Sequence, residues 1–191
     1  MASGSEALIT SMTAIEPRPI VVERSALEIE LEQLHAESWG WALSCCGRDR
    51  DLAHDVLQTA YLRILSGNAR FGGKSSFKTW VFGVIRLTAR AERRRRWLWI
   101  SRHERAEGGF DVPDSADRAD AKVERLERAE ALTRALAEIS ARQREVLQLA
   151  FYHGLTIEDA ARVMNVSIGS ARTHYERGKK ALARLLTQPR P

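Results

Sequence analysis

Apolar residues recur at helical spacing along most of the chain, and strand signals are absent. Leu27, Leu31, Leu34, Trp41 and Ala42 predict a helix from Ser25 to Gly47. Asp49 to Leu65 predicts a second, closed by the breaker Ser66-Gly67-Asn68 and the loop through Phe71-Gly72-Gly73. Ser75 or Ser76 can cap a third helix that runs to about Arg94. Further helices are expected over about 118–138, 141–152, 157–164 and 168–186. Two segments break the pattern. Residues 1–24, with Pro17 and Pro19, read as a flexible tail, and 106–120, rich in Gly, Pro and Asp, read as a linker. The expected architecture is two small all-helical domains, 25–105 and 121–187, joined by an acidic tether.

Helical phase divides each element into faces. On the third helix, Phe77, Trp80, Val84, Thr88 and Ala91 share one face, predicted to be core. Arg86, Arg90 and Arg93 lie opposite, with Phe82 beside Arg86 rather than among the core residues. Arg95 would point towards the core, so regular helix is expected to end close to it. An aromatic ring beside a cationic stripe suits single-stranded nucleic acid, where a stacked base contributes roughly 1–3 kcal/mol while arginines neutralise the backbone. The alternative is a solvated basic face with Phe82 packed against a neighbouring helix.

On the second helix, Ala53, Val56, Leu57, Ala60, Tyr61 and Ile64 make the buried face, while Asp51, Asp55, Gln58 and Leu62 lie opposite. A leucine inside a polar stripe is either a lone exposed apolar residue or the centre of a protein-binding face.

The strongest local pattern is LTIEDAARVMNVSIGSARTHYERGKKAL. Thr156 with Asp159 three residues on resembles a capping box, Asn165 suits a left-handed turn, and Ser167 can cap the longer helix that follows. Ile157, Ala160, Ala161 and Met164 face inward, as do Ile168, Ala171, Tyr175, Gly178 and Leu182. Ser170, Thr173, His174 and Arg177, flanked by Arg172, face outward. Small hydroxyl residues near the helix start and cations behind them are what a DNA recognition helix requires. An ordinary helical hairpin with a solvated basic face is the alternative.

Charge sharpens these faces. The 191 residues carry a net +5, but unevenly: −5 over 1–40, +6 over 86–105, −4 over 107–130 and +5 over 162–184. Two basic patches separated by an acidic stretch suggest a two-part contact with a polyanion. No apolar run approaches a membrane span, and no signal peptide is apparent, so no membrane insertion and a cytoplasmic location are expected. Cys45 and Cys46 are adjacent and show no zinc-type spacing. Neither metal cluster, phosphate loop nor nucleophile–base arrangement is visible. No catalytic residue, metal or cofactor is therefore expected.

Taken together, these segments resemble bacterial RNA polymerase sigma factors of the extracytoplasmic-function group, in the order region 2, linker, region 4. DVLQTAYLRIL looks like the polymerase-binding helix and SSFKTWVFGVIRLTARAERRRR like the segment that melts and reads the −10 element. The stretch from Ser140 to Leu186 looks like the domain that reads the −35 element. The resemblance covers roughly residues 25–187. It implies that Asp51, Asp55, Gln58 and Leu62 face core RNA polymerase. It assigns Phe82, Arg86, Arg90, Arg93, Arg94, Arg95 and Arg96 to the opening −10 strand, and Ser167, Ser170, Arg172, Thr173, His174 and Arg177 to the −35 duplex. Promoter DNA and core polymerase are the implied partners, with an anti-sigma factor as a candidate third.

Departures from the family pattern are Leu87, Ala91, Thr59, His54 and His174, where Asn, Asp, Glu, an acid and Arg are common. Trp97-Leu98-Trp99 overlaps the loop that holds a flipped-out base in the family; it reads either as aromatic base contacts or as a tight cap on the domain. Two other functions fit parts of the sequence: a decoy that titrates an anti-sigma factor, and a conventional helix-turn-helix regulator with a sensory N-terminal domain.

Overall fold

The apolar positions between Leu27 and Cys45 are carried by two helices, α1 (Arg24–Gln33) and α2 (His35–Cys45), rather than by one. The chain turns at Leu34, and the turn lets Leu31, Trp41 and Ala42 reach the same interior. Helix α3 (Arg50–Leu65) starts where expected, with the Asp49 carboxylate accepting from the Leu52 amide at 2.9 Å. Helix α4 (Phe77–His103) starts at Ser76, whose hydroxyl accepts from the Thr79 amide at 3.2 Å. The C-terminal half comprises α5 (Ala121–Glu138), α6 (Ala141–Leu147), a π-helical turn (Gln148–Tyr152), α7 (Ile157–Met164) and α8 (Ile168–Thr187).

This computed structural model describes residues 24–103 and 121–187, so the expected linker and almost all of the expected tail lie outside the described residues. Among the described residues no strand occurs, and no helix is long and apolar enough to cross a membrane.

Local sequence accounts for the C-terminal joints. Ser140 and Gln143 form a reciprocal capping box at the start of α6. Arg144 reaches back to the carbonyls of Leu136, Ala137 and Ile139 at 2.5–3.2 Å, satisfying orphan acceptors at the end of α5. Thr156 accepts from the Asp159 amide at 3.0 Å, and Asn165 takes the left-handed conformation, φ 52°, between α7 and α8. Gly178 is needed for another reason: a Cβ there would sit 3.0 Å from Leu147 Cδ1, so α8 lies against α6 at glycine distance.

Two expectations for α4 are corrected. The helix does not stop near Arg95 but continues to His103. Arg93 to Trp99 are all exposed, so this part of the helix has left the interior and offers no core for Arg95 to enter. Arg95 instead pairs with Glu92 at 2.9 Å, one turn back. Nor is there a single core face. Phe77, Trp80 and Val84 are half-buried and Ala91 is exposed, whereas Val81, Phe82, Ile85 and Ala89 are buried beside Thr88. The reason is that α4 is packed on more than one side: α2 and α3 cover one part of it and α7 another.

The two expected domains therefore do not stand apart. One continuous core includes Trp41, Val56, Phe82 and Ile85 from the N-terminal half and Val146, Leu149, Val163 and Met164 from the C-terminal half. Each large apolar side chain so buried contributes roughly 1.5–3 kcal/mol. Apolar side chains from both halves meet at their junction.

Candidate nucleic-acid interface

Helix α3 presents the stripe predicted for it. Asp51, Asp55, Gln58 and Leu62 are all exposed, and Leu62 retains 62% of its surface. Ala53, Val56, Leu57, Ala60 and Ile64 occupy the other face, fully buried. Among the described residues, nothing in the core uses Leu62.

Helix α4 divides its cationic residues into an open part and a covered part. Arg90, Arg93, Arg94, Arg95 and Arg96 are exposed. Arg96 meets Asp49 at 3.0 Å. The Leu52 amide, followed by Arg96, holds the Asp49 carboxyl below its usual range. Trp97 and Trp99 retain 66% and 59% of their surface, so the described structure does not bear out the tight cap.

Phe82 and Arg86 are different. Phe82 is fully buried, which corrects the expectation that it lies outside the core, and Arg86 retains 3% of its surface. Phe82 lies parallel to Trp41, ring centres 5.7 Å apart, and Trp41 Nε1 donates to the Phe82 carbonyl at 3.0 Å. The imidazole of His153, from the segment after the π-helical turn, stands edge-on to Phe82 at 4.8 Å and to Trp41 at 5.7 Å. Phe82 and Arg86 do share one face, as phase predicted. That face is covered by Trp41 of α2 and by the other half of the molecule.

Arg86 is held by Glu145 of α6: its Nε donates to one carboxylate oxygen and its Nη2 to the other at 3.3 Å. Arg142 shares Glu145 at 3.2 Å. The third guanidinium nitrogen of Arg86, Nη1, is buried without a hydrogen-bond partner among the described residues. Polar contacts flank the pair. Ser44 donates to Gln148, Lys78 Nζ donates to the His153 carbonyl at 2.8 Å, and Lys78 also pairs with Glu37.

Burial, reinforced by Lys78 and opposed by Glu37, holds the His153 imidazole down to about 4. Its Nδ1 lies 3.9 Å from Glu37 Oε2, beyond hydrogen-bond reach, and is unpartnered among the described residues. Glu145, His153, Trp41 and Lys78 escape a reading based on faces of single helices. The only available signal for them was an apolar Phe82 out of place in a cationic stripe.

Helix α8 presents the opposite situation. Ser167, Ser170, Arg172, Thr173 and Arg177 are exposed and His174 is half-buried. Ser167 caps the helix by accepting from the Ser170 amide at 3.1 Å, and Thr173 donates to the Gly169 carbonyl at 2.9 Å. Ala171 and Gly178 are buried as expected, Tyr175 and Leu182 are half-buried, and Ile168, in the first turn, is exposed.

The two cysteines belong to neither surface. Burial pushes Cys45 well above its ordinary range and Cys46 up to about 11, so both thiols are protonated and unreactive near neutral pH.

Comparison with known proteins agrees with this layout. Residues 31–98 match the model of sigma-70 region 2, and residues 129–182 match that of sigma-70 region 4. The extracytoplasmic-function sigma factor SigX of Bacillus subtilis is 29% identical over 138 residues, 71% of each chain. SigC of Mycobacterium tuberculosis, of the same group, is 28% identical over 157 residues, 82% of this chain and 81% of its own. The fold matches the sigma factor RpoE of Bartonella quintana, solved in complex with the anti-sigma factor NepR, at a TM-score of 0.61 and 24% identity. That match covers 85% of this chain and 98% of the other. With both family regions present in order and packed as helical modules, the chain belongs to the sigma-70 family, in its extracytoplasmic-function group, and acts as a sigma factor in transcription initiation.

Proposed function

We propose that this sigma factor brings core RNA polymerase to promoters through three surfaces. The α3 stripe of Asp51, Asp55, Gln58 and Leu62 meets core polymerase, with Leu62 as its apolar centre and the polar residues as its rim. The α4 residues Phe82, Arg86, Arg90, Arg93, Arg94, Arg95 and Arg96 meet the opened −10 strand. Ser167, Ser170, Arg172, Thr173, His174 and Arg177 meet the −35 duplex. Residues 25–105 and 121–187 act as two DNA-reading units joined by 106–120. Each weak contact then raises the effective concentration of the other.

The observation that supports this reading best is the exposure of Leu62 in the same chain as an exposed hydroxyl and guanidinium face on α8. Among the described residues neither surface is used by the fold, and together they provide one protein-binding and one DNA-binding face. Opening of the duplex is a population shift: unpaired bases gain sites that the duplex cannot use, and the protein supplies no catalysis. The role is regulatory and is carried out in the cytoplasm. An anti-sigma factor is a further partner, by analogy with the Bartonella relative.

Run-off transcription with purified core polymerase on a promoter library tests the whole reading. Leu62→Asp is expected to weaken core binding by at least about tenfold, the effect of charging an interface centre, while leaving −35 duplex binding intact. Unchanged polymerase association would remove the α3 assignment. Absence of transcripts, with tight binding to an anti-sigma protein, would make the chain a decoy.

A further inference from the structure

Ile168 opens α8 and shares the helical phase of Ala171, Tyr175 and Leu182, yet 41% of its surface is exposed. It is the one large apolar side chain in the first turn of that helix, where Ser167, Gly169 and Ser170 are small and exposed. Arg172, four residues on, lies beside it on the helix surface and is exposed as well.

Gly169 is as anomalous as its neighbour. A Cβ at Gly178 would press on Leu147 at 3.0 Å, so close packing explains that glycine. A Cβ at Gly169 would meet nothing nearer than Ser167 Oγ, at 4.0 Å. Glycine weakens a helix relative to alanine, and among the described residues no close approach requires it here. Room is therefore kept for something outside the chain.

The hydroxyls of this surface are partly committed to the helix. Ser167 accepts from the Ser170 amide and donates to the Ser170 hydroxyl at 2.9 Å, while Thr173 donates to the Gly169 carbonyl at 2.9 Å. Neither Ser167 nor Thr173 can donate to a base edge while it holds that bond. What the first turn offers in addition is the apolar surface of Ile168. In the major groove a thymine presents an apolar group, its C5-methyl, and the other base edges are read as hydrogen-bond donors and acceptors.

We propose that Ile168 reads a thymine of the −35 element through its C5-methyl group, and that Gly169 keeps the first turn of α8 low enough for the contact. The proposal rests on the reading of α8 as the −35 surface. The first residues of a recognition helix are the ones that reach base edges. Phosphate contacts from the exposed arginines farther along fix the register of the helix and carry no sequence information. Ile168 then supplies discrimination that they cannot, by removing its own surface and the methyl group from water together.

The test uses the full chain in the presence of purified core polymerase, with duplexes recovered through a tag on the chain from a library randomised over the −35 region. Wild type and Ile168→Ala are selected in parallel, and each thymine of the wild-type duplexes is then replaced by deoxyuridine, which lacks only the methyl group. One such replacement should weaken wild-type binding about fourfold, the effect expected for one buried methyl, and should leave Ile168→Ala within about 1.5-fold. The Ile168→Ala selection should show no preference for thymine at that position. Gly169→Ala should weaken binding to all of the selected duplexes while its unfolding midpoint stays level or rises.

Equal sensitivity of wild type and Ile168→Ala to deoxyuridine, or no sensitivity in either, would overturn the thymine contact and leave the −35 reading of α8 standing. A lowered unfolding midpoint in Gly169→Ala with unchanged duplex binding would overturn the role given to Gly169. Recovery of no preferred sequence by the wild type would remove the −35 reading itself, and the contact with it.

Discussion

Arg86 on α4 and Arg172 on α8 carry the same guanidinium and sit in opposite surroundings. Arg172 projects from the exposed side of a helix that packs against α5, α6 and α7. Arg86 projects from a helix wedged between two halves of the molecule, and a carboxylate 59 residues away neutralises it. The charge tally along the chain treats the two alike. What separates them is the second neighbour of the helix that carries them. In the packed form a cation is open to nucleic acid only where nothing in the fold has already claimed it.

The strongest way to break the comparison is to empty the covered site. Phe82→Ala should cost about 3–5 kcal/mol, the usual range for a large aromatic removed from a packed interior. The check is the midpoint of denaturant unfolding followed by far-ultraviolet circular dichroism. A loss below about 1 kcal/mol would mean that the Trp41–Phe82–His153 stack is not formed in solution. The open α8 surface has no counterpart to this effect, since removing an exposed arginine leaves no cavity.

Acid sharpens the comparison next. His153 is held down to about 4 from an ordinary value of 6.5, so the packed form excludes a proton that the hydrated imidazole would bind. The packed form is therefore fully stable above pH 6.5 and loses stability as pH falls from there towards 4, by up to about 3 kcal/mol. The groups facing the ring are Glu37, which favours protonation, and Lys78, which opposes it. Melting temperatures of the wild type and His153→Gln, compared between these two pH values, should converge towards the acid end. Parallel curves would remove His153 as the source.

The smallest effects belong to the open face. Arg172→Ala or Arg177→Ala should weaken −35 duplex binding by about 1–3 kcal/mol if the side chain reads a base edge. A phosphate contact would instead lower the slope of log affinity against log salt by about one. Fluorescence anisotropy over a salt series distinguishes the two. Unfolding midpoints should not move, because surface substitutions of this kind stay within about 0.5 kcal/mol.

Much of the fold was legible in advance because its determinants lie close together in the chain. Asp49, Ser76, Ser140, Thr156 and Ser167 each cap the helix they precede, through a bond spanning three residues. The α3 stripe with exposed Leu62, and the buried side of α7, followed from helical phase alone. Local pattern misled where it assumed one buried side per helix. On α4 it placed Ala91 in the core and Phe82 out of it, and the structure reverses both. The break at Leu34 was also missed, since α1 and α2 present compatible phases across it.

By itself, then, the sequence determined where most of the helices begin, which of them are amphipathic, and the order of two basic surfaces about an acidic stretch. Those properties depend on residues within a few turns of one another. Only the tertiary structure decided that the two halves share one core, that Glu145 neutralises Arg86, and that His153 closes the ring pair of Trp41 and Phe82. These contacts join residues 59 or more positions apart in the chain. They arise because α4 has apolar surface left after α2 and α3 have packed on it, and α7 has apolar residues that α8 alone does not cover. The hydrophobic effect brings the two together and is indifferent to separation along the chain.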